Sequence, residues 1–284
     1  MLTTENLTNV INSGIEQYNL IKSEKELLEK TLNGSLKILV DILSIVNPTA
    51  FGRSSRVRKI MKQFAQKLSN KMEWKYELAG ILSQIGCVAI PDHILEKKYK
   101  GEPLTETENN MFNEHPKLGY DLVSKIPRLE DVAEVIHHQG MNDATHKNPE
   151  IDLCIKCLNI TLDFDTLNST GENIDTILEK LDHKFDSYPK YVFNALKEIV
   201  NGVLYLEQKS IALKDLQSGM VLSENVLSST GLMLISKGQE VSLSLLARLK
   251  NFANTLGVKE PIRVFLSNEE MKDATEQAIE KDSK

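Results

Sequence analysis

The chain has 284 residues, 41% apolar and 26% charged, enough for one large or two modest domains with a substantial core. Its formal net charge is −6, and the stretch from Asn268 to Lys284 alone carries six acids against three lysines, a balance that argues against nucleic acid as a partner. The sequence has no run of about 18 apolar residues and no secretory signal in its start MLTTENLTNV. Its three cysteines, Cys87, Cys154 and Cys157, are too few for a disulfide framework, so the expectation is a soluble, cytoplasmic, helix-rich protein.

Asn6 to Val46 contains no proline, and Leu20, Leu27, Leu28, Leu32, Leu36, Leu39 and Leu43 recur near helical spacing. This predicts an amphipathic helix that either pairs with a copy of itself or packs on its own domain; its heptad is irregular. Asn47-Pro48 ends it, because the residue before proline is driven out of the helical region. A second helix is expected from about Ser54 to Trp74, with Val57, Ile60, Met61, Phe64, Ala65 and Leu68 as its buried stripe. Its other side is basic, with Arg53, Arg56, Arg58, Lys59, Lys62, Lys67, Lys71 and Lys75 forming either a solvated face or a phosphate-attracting patch.

Tyr76 to Gly86 reads as a third helix, closed by Ala89-Ile90-Pro91. Thr105 with Glu108 has the spacing of a capping box and predicts a helix running on through Val123. Further helices are expected at about 130–139, 152–167, 174–181 and 189–207. After Lys209 the pattern alternates between glycines, which predicts strands at 220–222, 225–227, 232–235 and 262–266 and a helix at 243–256. The fold class is therefore mainly α. It comprises an N-terminal linker and dimerisation helix (1–46), a helical domain (47–207), a small α+β appendage (208–267) and an acidic tail (268–284) read as disordered or as a frayed helix.

His137 and His138 are adjacent at a helix end, where neighbouring side chains can converge on one ion; His115 lies on an apolar face, as either a core residue or a ligand. The CIKC stretch, Cys154 to Cys157, falls inside a helix, which favours buried thiols over a redox or zinc pair.

Three blocks, ILSQIGCVAIPDHIL, LTETENNMFNEHPKLGYDLVSKIP and LEDVAEVIHHQ, follow one another in an order that resembles the HD-GYP branch of the HD phosphohydrolase superfamily. The resemblance covers about residues 47–207 and implies an HD-type helical bundle. The leading helix resembles the linker of two-component response regulators, and the appendage resembles the small module that often follows such domains. No receiver sequence stands in these residues, so the chain reads as an output region that would follow one.

Active relatives are implied to hydrolyse cyclic di-GMP with two or three metal ions. Carried over position by position, the first family histidine falls on Arg53, the His-Asp pair on Ser83 and Gln84, and the following lysine on Cys87. His115, His137 and His138 match ligand positions, while the glutamate after the pair is Gln139. The late aspartate falls on Leu162, one residue from Asp163, and Asp165 matches a second aspartate. The glycine-tyrosine-proline signature is missing.

Arg53, Ser83, Gln84 and Cys87 thus read as vestigial positions, and no cofactor is expected. His115, His137 and His138 remain as candidates for a residual divalent metal, and Arg53 and Arg56 as candidates for phosphate contacts. The resemblance implies a non-catalytic signalling module, HDOD-like, acting through protein–protein contacts. It would form a homodimer through the first helix and work beside an upstream phosphoreceiver or other signalling proteins. The alternative is a metal-dependent cyclic di-GMP phosphodiesterase with a reduced site.

Overall fold

The computed structural model describes residues 4–68, 73–141, 144–183, 188–204 and 208–265. The expected acidic tail and the last residues of the helix expected at 189–207 lie outside them. The described residues are mainly helical, with eleven α-helices and a small strand-containing C-terminal part, as expected of an HD-type bundle. None of the described helices is long and apolar enough to cross a membrane. The chain divides into two compact units, residues 1–39 and 40–284.

The first unit belongs to α1 (Thr4–Val46), one unbroken helix. Ile11, Ile15, Tyr18, Leu20, Ile21 and Leu27 along it are all more than half exposed, an apolar surface that water does not favour.

In the second unit, α2 (Pro48–Leu68) begins well before the expected Ser54. Asn47 Oδ1 accepts the Ala50 amide at 2.9 Å, so Asn47 is an N-cap and Pro48 occupies the first helical position. The dipeptide read as a stop is also the next start. Val57, Met61, Phe64 and Ala65 are fully buried, whereas Ile60 and Leu68 are half-buried. Each fully buried aliphatic or aromatic side chain contributes about 1.5–3 kcal/mol.

Against α2 pack α3 (Glu73–Leu82), α8 (Pro149–Ser169) and α10 (Lys190–Leu204), with α7 (Glu130–His137) packed on α3 and α8 and α6 (His115–Val123) packed on α7. The third expected helix stops at Leu82. Ser83 and Gln84 form a turn, and Ile85–Ala89 is a 3₁₀ segment. Next comes α4 (Asp92–Lys100), which the sequence reading left unassigned.

The helix expected from Thr105 through Val123 is two helices, α5 (Glu106–Asn113) and α6, although the capping box at Thr105 forms as expected. The division has a local cause. Pro116 has no amide to offer the Phe112 carbonyl four residues back, and the His115 imidazole takes that carbonyl instead. α8 is capped by the Asn148 side chain, and α9 (Ile174–His183) completes the domain.

The C-terminal part holds a three-stranded antiparallel sheet in the order β1-β5-β2 (Gln208–Ile211, Ile262–Phe265, Val221–Leu222) and a hairpin of β3 (Val226–Leu227) with β4 (Met233–Ile235). α11 (Leu243–Ala253) covers them, and the strand β1 was not expected. The register Ile211↔Ile262 and Leu222↔Val264 puts the apolar members on one face.

Candidate functional site

Arg53 and Arg56 stand one turn apart on α2 and meet Asp165 from α8. Arg56 Nε and Nη2 donate to the two Asp165 oxygens at 2.6 and 2.9 Å, a bidentate pair. Arg53 Nε lies 3.2 Å from Asp165 Oδ2 at ion-pair distance, off hydrogen-bond alignment. Its Nη2 donates to the Leu162 carbonyl at 2.6 Å and to Thr166 Oγ1 at 2.7 Å, and the guanidinium lies over the Tyr99 ring.

Asp165 is only 2% exposed. Burial alone would raise its pKa, but the Arg56 charge and hydrogen bonds, joined by Arg53, hold the carboxyl below its ordinary range. Two guanidiniums against one carboxylate leave this buried cluster with an excess positive charge. Asp163, one residue off in the family register, instead accepts the Tyr188 hydroxyl at 2.9 Å.

Ser83, Gln84 and Cys87 form a neutral network at the end of α3. Ser83 Oγ donates to the Gly80 carbonyl at 2.9 Å, Gln84 Nε2 donates to Ser83 Oγ at 3.3 Å, and Gln84 Oε1 accepts the Tyr99 hydroxyl at 2.7 Å. The Cys87 thiol, pushed up to about 12 by burial, points at the same oxygen from 3.6 Å and stays protonated. The amide oxygen of Gln84, where the resemblance implies an aspartate, is therefore already engaged.

His115 is 8% exposed. Burial first, then the nearby Arg53 and Lys98 charges, push its pKa down to about 4 against the contrary pull of the Phe112 carbonyl, so the ring is neutral. Gly86 permits this placement, since a Cβ there would sit 1.9 Å from the His115 carbonyl oxygen.

His137 and His138 stand with ring centres 5.3 Å apart and planes nearly perpendicular. His138 Nδ1 donates to the Glu134 carbonyl at 2.8 Å, leaving Nε2 as its acceptor. His137 packs against Tyr120, and its Nδ1 is buried without a partner, as are both side-chain polar atoms of Gln139. Asn159 on α8 fixes this corner by accepting from the Gly140 amide at 2.9 Å and donating to the His138 and Met141 carbonyls.

Among the described residues no three His, Cys, Asp or Glu side chains are placed to share a metal ion. The structure brings Arg53, Arg56 and Asp165 together, and Ser83, Gln84 and Cys87 together. Tyr99 bridges the two groups, and the sequence reading missed it along with Asn159.

The basic face of α2 is answered by acids. Arg58 and Lys62 pair with Glu77 and Lys67 with Glu198, whereas Lys71 lies outside the described residues and Lys75, expected on this face, stands on α3 and pairs with Asp131. Cys154 and Cys157 are buried on α8, where burial raises both thiols far above their ordinary pKa.

No curated protein matches the chain. The family model described as the HD domain matches residues 37–183, more than half of the chain, and takes in every residue of the arginine–aspartate cluster, the amide network and the histidine pair. The chain belongs to the HD domain family.

Proposed function

We propose that this HD domain is a non-catalytic signalling output module of a bacterial response regulator. It works in the cytoplasm through protein–protein contacts, HDOD-like, on a frame related to the HD-GYP phosphodiesterases. The observation that carries the reading is the set of side chains at the family's ligand positions. Paired-metal hydrolysis needs a bridging carboxylate and further anionic or imidazole donors. Here the bridging position is Gln84, tied to Tyr99, and the first histidine position is Arg53. A divalent ion about 5 Å from a guanidinium is repelled by on the order of 7 kcal/mol at an effective dielectric constant of about 20. Asp165, the acid that meets Arg53, is committed to two arginines. These residues do not fit a binuclear centre.

Dimerisation through α1 is supported by the exposed Ile11, Tyr18, Ile21, Leu39 and Ile42, which share one 3–4 heptad register that a second copy would bury. An upstream phosphoreceiver would act through this helix.

The alternative, a metal-dependent phosphodiesterase with a reduced site, draws on the histidines. His115 and His138 each give Nδ1 to a backbone carbonyl, an arrangement that leaves Nε2 free as a donor atom. Cyclic di-GMP turnover by the purified chain, compared with the Arg53→His, Ser83→His, Gln84→Asp variant, separates the two readings. The proposal expects no turnover by the natural chain and increased metal content in the variant; turnover by the natural chain overturns it. Sedimentation of Ile21→Glu beside the natural chain tests the dimer, which the substitution should dissociate; a monomeric natural chain contradicts it.

A further inference from the structure

The arginines that clasp Asp165 also reach the C-terminal module. That module has its own apolar core, built from residues such as Ile211, Leu222, Leu234, Leu245, Leu249 and Val264. It therefore keeps this burial whether or not it touches the helical domain.

Its seam with α2 is built differently. Ser236 Oγ donates to the Pro48 carbonyl at 2.8 Å, and Arg56 Nη1 donates to the Lys237 carbonyl at 3.0 Å. Backbone approaches side chain closely at two glycines. A Cβ at Gly52 would lie 2.4 Å from Ser236 Oγ, and one at Gly238, which also has φ +79°, would lie 2.5 Å from Arg56 Cγ. Gln239 Oε1, at the same seam, is buried without a partner. Opening such a joint would cost a few hydrogen bonds and would let water satisfy that oxygen.

Arg56 belongs to both sides. Its Nε and Nη2 hold Asp165 while its Nη1 holds Lys237, and the planar guanidinium fixes these directions relative to one another. It cannot turn away from one partner without leaving the other.

We propose that the C-terminal module is a cap latched to the HD domain, and that its docking and the clasp on Asp165 form one two-state element joined by Arg56. A change at the former metal positions would then release the module, and displacement of the module would loosen the clasp. This device does not depend on whether the domain retains any hydrolytic activity.

Gly52→Ala tests it, because the added methyl meets the module and not Asp165. By helix propensity alone the substitution stabilises α2. Hydrogen exchange in the full chain should instead show about tenfold faster exchange in residues 233–241 and, in parallel, in residues 162–169 of α8. Residues 151–160, in the buried half of α8, should stay protected, which separates release from general unfolding. The double variant Gly52→Ala, Ser236→Gly removes the atoms the new methyl strikes; it also gives up the Ser236–Pro48 hydrogen bond, but the Arg56–Lys237 bond can form again, so protection in both segments should recover in part relative to Gly52→Ala. Unchanged exchange in Gly52→Ala, loosening of the module with α8 unaffected, or failure of the double variant to recover would each overturn the proposal.

Discussion

Asp165→Asn is the substitution to which the arginine cluster should respond most strongly. The change is nearly isosteric, so it makes no cavity. It removes the carboxylate that faces both Arg53 and Arg56, at a site 2% exposed to water. Breaking a buried ion pair from one side costs about 3–5 kcal/mol, because the remaining charge stays desolvated. For a domain of this size each kcal/mol lowers Tm by roughly 2–4 °C, so a fall on the order of 10 °C is expected. Urea unfolding followed by circular dichroism measures the loss. Arg53→Met should cost clearly less than Asp165→Asn, since it leaves the bidentate Arg56–Asp165 pair in place. Adding Arg53→Met to Asp165→Asn should recover stability by removing one stranded cation. A loss below about 1 kcal/mol for Asp165→Asn, of the kind typical of an exposed pair, would refute the reasoning.

Three further outcomes follow from the same geometry. The folded chain holds His115 neutral, with its pKa at about 4 against 6.5 for the free side chain. The unfolded state therefore binds more protons between those values, and this contribution is complete above pH 6.5 and falls away as pH drops toward 4, by on the order of 3 kcal/mol. Denaturation midpoints measured across that window should flatten in His115→Gln; an unchanged slope contradicts the assignment. Gly86→Ala should destabilise by about 1–3 kcal/mol or more in thermal unfolding, because its methyl would meet the His115 carbonyl oxygen. Cys87 should resist iodoacetamide at pH 8 in the folded protein and react once urea unfolds it, as read by mass spectrometry; rapid labelling of the native protein would show that the thiol is not held as described.

Helical periodicity made most of the bundle legible. The stripe Val57, Met61, Phe64 and Ala65 is buried as spacing demands. What it could not give was local chemistry at the boundaries. Asn47-Pro48 stops one helix and caps another, and Pro116 divides a continuous apolar face because it withholds an amide. α4 was missed because DHILEKKYK carries few apolar residues, and β1 because three of its four residues are exposed.

At the site, Arg53, Ser83, Gln84 and Cys87 were singled out by the resemblance of the motifs around them. Their electrostatic meaning was not. Arg53 and Asp165 are distant in sequence, and no spacing rule announces that two arginines share one acid. Tyr99 lies on the unassigned helix, and Asn159 looks like an ordinary mid-helix polar residue until its three bonds to residues 138–141 are seen.

The metal content of the purified full chain, measured by elemental analysis after incubation with manganese or iron and removal of free ion, tests the central claim most directly. A guanidinium and an engaged carboxamide, where the family resemblance implies metal ligands, predict content far below one ion per chain. A paired-metal stoichiometry that survives desalting would contradict the account.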